Sequence, residues 1–283
     1  MDKLKILVAC HKPGPVYHDE VYTPIHVGRA VSKCKNEMSD MIGDDTGDNI
    51  SEKNPEYCEL TAQYWAWKNL HDVEYVGFCH YRRYFDLQIT NENVDDIFKK
   101  QDVVLLNFIQ IGSVNKLLLT MVSLEDVTIF LMALKRLYPE YEKTTLDYLF
   151  GNRFYSNNML ICPKKLFDDY AAWLFSILAE CEKYMRPSGY TRGRRALAYL
   201  GEFFMPVYML HNQLRIKAVA VTPQYGEKGK KASLLGKTIL KVHGYLMNLL
   251  SPPPRSFETY YYDSVLVGLR ADGVIDEMKK DEK

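Results

Sequence analysis

The sequence predicts an α/β fold in which helices cover both faces of a mostly parallel sheet. Short apolar runs typical of buried strands alternate with longer stretches whose apolar residues recur at helical spacing. A chain of 283 residues, 47% of them hydrophobic, is long enough to enclose a substantial core. Acidic and basic residues balance at 36 each, and the resulting zero net charge argues against a dedicated nucleic-acid-binding protein.

The first half of the chain supplies three predicted strands and one well-marked helix. The strands are predicted from apolar runs at 4–10, 75–79 and 103–108. Asn54 followed by Pro55 is typical of a helix start, and apolar residues continue at helical spacing to Leu70. A short helix is predicted within residues 24–33, and a polar turn at 43–49.

The second half is predicted to hold further helices and two strands before the composition changes. The helices are predicted at 124–137, 145–150, 163–184 and 194–212, and the strands at 158–162 and 217–221. Beyond residue 222 the chain becomes Gly- and Lys-rich, then amphipathic at 233–250, then proline-rich at 251–255. We therefore divide it into a domain at 1–222 and a helical C-terminal extension at 223–283.

Several features indicate a cytoplasmic protein. The N-terminal apolar run is short and lacks the small-residue cleavage site of a secretory signal. No apolar run approaches the roughly 20 residues needed to span a bilayer. The six cysteines are scattered without a C-x-x-C pair, which indicates reduced thiols.

The run that ends in His80, Tyr81, Arg82 and Arg83 is the most informative stretch of the chain. It follows a predicted buried strand, and ligands of open α/β sheets collect beyond the carboxyl ends of such strands. The guanidinium group presents a planar fork of donors that matches phosphate oxygens. We interpret the run as a phosphate-binding site. The alternative is a surface turn whose arginines pair with nearby acids.

No metal or other cofactor is predicted. The chain contains no Asp-x-Asp triplet after a strand, and its acidic loop (Asp44, Asp45 and Asp48) lacks the ligand spacing of a calcium loop. This loop is either a solvated turn or a contact to the base or ribose of a nucleotide. The histidines and cysteines show no zinc-ligand spacing.

Two further polar groups are candidates for catalysis and sugar binding. Glu202 lies in a largely apolar helical stretch, which raises the pKa of a carboxyl group toward the range of a general base. Its alternative is an ion pair with Arg195 or Arg194. Asn157 and Asn158 precede a strand and suit sugar hydroxyls, or else form a plain turn.

Two segments carry a family resemblance. GDDTGDNISEKNPEYCELTAQYWAWK at 43–68 and GFCHYRRYF at 77–85 resemble glycosyltransferases of bacterial capsule and exopolysaccharide clusters once filed as a domain of unknown function. Weaker similar pieces extend the resemblance over residues 3–222. It implies a GT-A-like fold with a Rossmann-type sheet, a nucleotide-sugar donor, and transfer to a growing polysaccharide, with galactofuranose or galactose as the sugar.

Together these observations predict an inverting, metal-independent hexosyltransferase that uses a UDP-sugar and a capsular, exopolysaccharide or O-antigen acceptor. His80, Arg82 and Arg83 would stabilise the departing diphosphate, and Glu202 would act as the base. The remaining roles are nucleotide binding by Ala9, Cys10, His11, Asp45 and Arg195, and sugar contact by Tyr81, Asn157 and Asn158.

Two alternatives stay open. The cationic strand end could belong to a non-catalytic module that binds a polyanion or polysaccharide. Separately, the basic amphipathic stretch at 233–250 either packs on the domain or makes a peripheral contact with a membrane that carries a lipid-linked acceptor.

Overall fold

A computed structural model describes residues 3–223 and 254–280, together with the single positions 238, 239, 242 and 246. The strands are β1 (Leu4–Cys10), β2 (Tyr22–His26), β3 (Ile42–Gly43), β4 (Tyr75–His80), β5 (Arg83–Phe85), β6 (Val103–Leu106), β7 (Ile109–Gln110), β8 (Arg153–Phe154), β9 (Leu160–Pro163), β10 (Ile216–Val219) and β11 (Val221–Pro223).

The helices surround this sheet. They are α1 (Asn54–Tyr57), α2 (Leu60–Asn69), α3 (Val94–Phe98), α4 (Val114–Leu119), α5 (Leu124–Leu137), α6 (Glu142–Leu149), α7 (Lys164–Tyr184), α8 (Thr191–Arg194), α9 (Ala196–His211), α10 (Phe257–Tyr260), α11 (Asp263–Ala271) and α12 (Val274–Lys280). Short 3-10 turns at Arg29–Val31, Ser51–Lys53 and Pro139–Tyr141 complete the connections.

The central sheet confirms the predicted α/β class with a mostly parallel arrangement. Its strand order is β10-β6-β9-β4-β1-β2-β3; in addition, β5 pairs antiparallel with the end of β4, and β11 pairs antiparallel with β5. Only β9 within that order runs antiparallel to its two neighbours, β4 and β6. The carboxyl ends of β1, β4 and β6 therefore lie at one edge of the sheet, where the start of β9 also lies.

Buried apolar side chains fill both faces of the sheet. Along β1, Leu7 and Ala9 join one core cluster, whereas Ile6, Val8 and Cys10 join the other. Successive side chains of a strand point to opposite faces, so this split follows from the alternation alone. Helices α5, α7 and α9 cover the first face and bury their apolar stripes there.

The structure differs from three local predictions. Residues 22–26 form an unpredicted parallel strand beside β1, and the short helix predicted within 24–33 is the 3-10 turn at Arg29–Val31. Pro24 fits in the strand because β3 pairs only with the last two residues of β2, so no ladder donor is missing at Pro24. The helix predicted from Asn54 to Leu70 is broken at Cys58, whose φ of 49° is left-handed. The third predicted strand ends two residues early, at Leu106.

The C-terminal helices pack against the main domain. Phe257 is fully buried, and its backbone N–H donates to Glu142 Oε1 at 2.6 Å. The Tyr260 hydroxyl donates to Asn115 Oδ1 at 2.8 Å. The helical extension is therefore confirmed, while the boundary at residue 222 stays a prediction. The amphipathic stretch at 233–250 and the start of the linker at 251–255 lie outside the described residues, apart from the four single positions.

Candidate active site

A cavity of about 490 Å³ opens where β1 and β4 end. Four arginines, two histidines and two glutamates line it, which makes it the most highly charged cavity found among the described residues. It brings together nine residues that the sequence predicted as site residues: Ala9, His11, His80, Tyr81, Arg82, Arg83, Asn157, Arg195 and Glu202. Sites of open α/β sheets lie at this edge.

A tight hairpin presents the cationic run to the cavity. β4 ends at His80, which pairs with Arg83 at the start of β5, so Tyr81 and Arg82 form a two-residue turn. The Arg82 guanidinium lies 5.0 Å from the centre of the Tyr81 ring, and that ring meets His11 edge-on at 5.4 Å. Within residues 3–223 and 254–280, Arg82 has no carboxylate partner. Within those residues, Arg82 therefore does not form the pair with a nearby acid that the alternative interpretation predicted.

Asn157 ties the catalytic candidates together. It is left-handed (φ 79°), as asparagine tolerates better than most residues. Its N–H donates to Glu202 Oε1 at 2.6 Å, and its carbonyl oxygen lies 2.7 Å from His80 Nε2. Its side-chain oxygen accepts from Arg83 Nη1 at 3.3 Å. Because a carbonyl oxygen can only accept, His80 Nε2 carries a hydrogen. Asn157 alone therefore contacts a carboxylate, an imidazole and a guanidinium group.

Asn158, the next residue, lies behind the cavity wall and does not line it. It is also left-handed (φ 48°) and buried, and its side-chain amide donates to Glu59 Oε1 at 2.7 Å. Its carbonyl accepts from Gln63 Nε2 at 3.0 Å. The structure thus corrects the prediction that Asn158 contacts sugar: it holds Glu59, a second carboxylate of the cavity.

Glu202 projects from the first turns of α9. Burial raises the pKa of its carboxyl group to about 7. The hydrogen bond from the Asn157 N–H lowers this pKa, and the nearby Glu59 carboxylate raises it. The cations Arg83 and Arg195 also lower the pKa of Glu202. A carboxyl that titrates near neutral pH can accept a proton from a substrate hydroxyl.

The predicted alternative for Glu202, an ion pair with Arg195, is not formed. Arg195 Nε donates to Cys58 Sγ at 3.0 Å, and its guanidinium lies 5.5 Å from the Tyr199 ring centre. Burial in turn raises the pKa of the Cys58 thiol to about 11, so Cys58 is a neutral thiol at pH 7.

The end of β1 contributes a neutral imidazole. Desolvation lowers the pKa of His11, and the nearby cations of Lys12, Arg195 and Arg82 lower it further. His11 is therefore an uncharged donor or acceptor at pH 7, suited to a base or ribose rather than to a phosphate charge.

Two predicted nucleotide contacts do not reach the cavity. Cys10 is buried on the other face of the sheet, where its Sγ donates to the Val8 carbonyl at 3.3 Å, because strand alternation turns it away from Ala9 and His11. Asp45 lies 3.6 Å from Arg29 in an ion pair outside the cavity. Neither side chain therefore lines the cavity.

One interpretation of the acidic loop was a solvated turn, and Asp44 does not fit it. Asp44 is fully buried and accepts from the backbone N–H of Gly28 at 2.7 Å and of Arg29 at 3.0 Å, and from the Ser51 hydroxyl. This carboxylate fastens the connection after β2, with Gly28 in the left-handed region (φ 65°), to the loop that precedes α1. Its role is structural.

Sequence reasoning assigned no ligand role to seven other residues of the cavity wall: Val27, Asn54, Pro55, Cys58, Glu59, Thr191 and Arg194. Glu59 reaches the cavity because the chain turns sharply at Cys58, and no local pattern signals that turn. Arg194 had a signal, since it stands in a basic cluster, but it was considered only as a partner of Glu202.

Two features of the described residues bear on the metal and membrane predictions. No group of three or more His, Cys, Asp or Glu side chains in that part of the chain could hold a metal ion. No helix there is long and apolar enough to cross a membrane. Metal independence and cytoplasmic location both stay predictions.

Comparison with known proteins agrees with the class of fold. The apo structure of the bifunctional glycosyltransferase WbbM matches with a TM-score of 0.70 and 27% identity over 82% of this chain. The fold is thus that of a glycosyltransferase. Residues 5–213 match the family described as domain of unknown function DUF4422, and the chain belongs to that family. It spans about half, 48%, of the length of WbbM, and no curated protein matches it.

Proposed function

We propose that this protein is an inverting glycosyltransferase that moves a hexose, galactofuranose or galactose, from a UDP-sugar to a capsular, exopolysaccharide or O-antigen acceptor without a metal ion. The observation that carries the proposal is the Asn157 corner. It holds a carboxylate of near-neutral pKa and two potential phosphate ligands, His80 and Arg83, in one cavity. The glycosyltransferase fold and the family support the reaction class.

The reaction needs one proton acceptor and one stabilised leaving group. Glu202 would take the proton of the acceptor hydroxyl as its oxygen attacks the anomeric carbon of the donor. The bond from that carbon to the diphosphate breaks at the same time, and its electron pair leaves with the UDP oxygen. Arg82, Arg83 and His80 would stabilise the charge that develops on this oxygen, as a metal ion does elsewhere.

The remaining wall would hold the nucleoside and the sugars. Ala9 and His11 at the end of β1 would contact the base and ribose, with Arg195 near the phosphates. Tyr81 and the side chain of Asn157 would face the sugars. A polysaccharide acceptor and a cytoplasmic setting follow from the family resemblance rather than from the cavity.

Two substitutions test the assignment. Glu202→Gln removes the proton acceptor but keeps an oxygen for the Asn157 N–H, so UDP binding should persist while turnover falls about 10²–10⁴-fold. Arg82→Ala should reduce kcat/KM by at least about 10-fold with the fold intact, because one charge-assisted contact is lost. Arg270→Ala, an exposed change on α11, is the matched control.

The measurements are UDP release from candidate UDP-sugars, with and without EDTA, and UDP binding by calorimetry. Full turnover by the Glu202→Gln variant would reject the base assignment, and loss of activity with EDTA that Mn²⁺ restores would reject the metal-free mechanism. Salt-sensitive binding of anionic polysaccharide without any turnover would favour the non-catalytic binding module instead.

A further inference from the structure

The short helix α8 forms part of the cavity rim and carries two arginines with different surroundings. Arg192 Nη2 donates to the Thr120 carbonyl, outside the cavity. Arg194 lines the cavity, and its side chain is exposed to solvent there. In the part of the chain that the structure describes, the Arg194 guanidinium has neither a carboxylate partner nor a hydrogen bond.

Among the described residues, four arginines and the two glutamates Glu59 and Glu202 line the cavity. Arg195 is engaged by Cys58, and Arg83 by Asn157. Arg82 and Arg194 are the two whose guanidinium groups have neither a carboxylate partner nor a hydrogen bond among the described residues. Two such cations in one cavity are suited to a ligand with at least two negative charges.

The two cations come from separate parts of the fold. Arg82 sits in the turn between β4 and β5, and Arg194 at the end of α8 before α9. A ligand that contacts both would therefore bridge the sheet edge and the helical rim. A guanidinium group donates paired N–H bonds to phosphate oxygens, and two adjoining phosphates offer acceptor oxygens for two such groups.

We infer that Arg194 is a second anchor of the donor diphosphate, acting with Arg82 on a nucleoside diphosphate. The inference rests on the proposed function, because it takes the ligand of this cavity to be a nucleotide sugar. It adds a specificity-determining residue that discriminates a diphosphate from a monophosphate, and it assigns to α8 a ligand-binding role that its neighbour Arg192 does not share.

The test compares Arg194→Ala with Arg192→Ala in the full chain. Calorimetric titration with UDP, UMP and uridine measures how much of the affinity depends on the phosphates. We expect Arg194→Ala to weaken UDP binding about 10- to 100-fold, because one charge-assisted contact to phosphate is lost. UMP should weaken less and uridine should be unchanged. Arg192→Ala should stay within about 2-fold for all three ligands, and Arg194→Lys should recover part of the loss.

The outcomes separate this inference from the proposed function. If wild-type protein turns over a UDP-sugar but Arg194→Ala binds UDP equally well, the inference is overturned and the function stands. An equal loss for UDP, UMP and uridine also overturns it, since this pattern indicates a disturbed cavity. Arg194-dependent UDP binding without any glycosyl transfer would support the anchor and reject the function. Absence of binding to UDP and to inorganic pyrophosphate would reject both.

Discussion

Replacing Glu202 by glutamine should make the protein more stable, and the gain should depend on pH. The pKa of this carboxyl rises from 4.5 to about 7 on folding, because burial disfavours its ionised form. The unfolded chain therefore loses the proton at lower pH than the folded chain. The contribution of Glu202 to the free energy of unfolding therefore falls as pH rises from about 4.5 to about 7. It is level above that range, since the carboxyl group is then ionised in both the folded and the unfolded state.

The size of the effect follows from the same values. One pKa unit corresponds to about 1.4 kcal/mol, so the full difference costs up to about 3 kcal/mol at pH 8. The side chain is partly exposed to the cavity, and solvent there reduces the expected cost to about 1–3 kcal/mol. Glutamine carries no charge and can still accept the Asn157 N–H bond. For a chain of this size, a gain of about 2 kcal/mol raises Tm by about 4–8 °C.

The assay is thermal unfolding of wild type and Glu202→Gln from pH 5 to pH 9, followed by circular dichroism. The difference in Tm should be small at pH 5, should grow up to about pH 7 and should then stay constant. A variant less stable than wild type at pH 8, or a Tm difference that does not change with pH, would refute the burial argument.

Two further substitutions probe the frame around the site. Gly77→Ala in β4 should lower the free energy of unfolding by about 1–3 kcal/mol in urea titrations, because an added Cβ would lie 2.9 Å and 3.0 Å from two isoleucine side chains of the neighbouring strands. Gly189→Ala, where no atom lies within 4 Å of the added Cβ, is the control and should change little; equal effects would contradict the packing argument. Asp44→Ala should cost about 2–4 kcal/mol by the same measurement, since it leaves the buried backbone donors of Gly28 and Arg29 without their acceptor. A loss below about 0.5 kcal/mol would show that water or another group replaces the carboxylate.

Much of the fold and site could be predicted because the signals are local. The apolar run from Tyr75 to Cys79 identifies a buried strand, and the position of His80 at its end follows. The helix α7 repeats its apolar residues over many turns and was predicted within one residue at its start. Because parallel strands share an edge for their carboxyl ends, the clustering of Ala9 and His11 with His80 could also be expected.

The errors arise where tertiary contacts decide. Strand alternation separates Cys10 from its neighbours, but the sequence does not tell which face of β1 meets the cavity. The strand β2 was missed because Pro24 argues against a central strand unless the extent of β3 is known. Glu59 and Arg194 reach the cavity through a sharp turn and a four-residue helix, and neither has a periodic pattern that sequence reasoning can detect.

The reversed direction of β9 has a mechanical consequence for the candidate site. Its register against β4 ends with Phe78 opposite Leu160, two residues before His80 on one strand and three residues after Asn157 on the other. Neighbouring strands are held about 5 Å apart by their ladder of hydrogen bonds. The short connections from this pairing to Asn157 and to His80 thus limit how far these two residues can move apart. Loops elsewhere on the rim can therefore change length or composition during evolution while His80 and Asn157 keep their spacing.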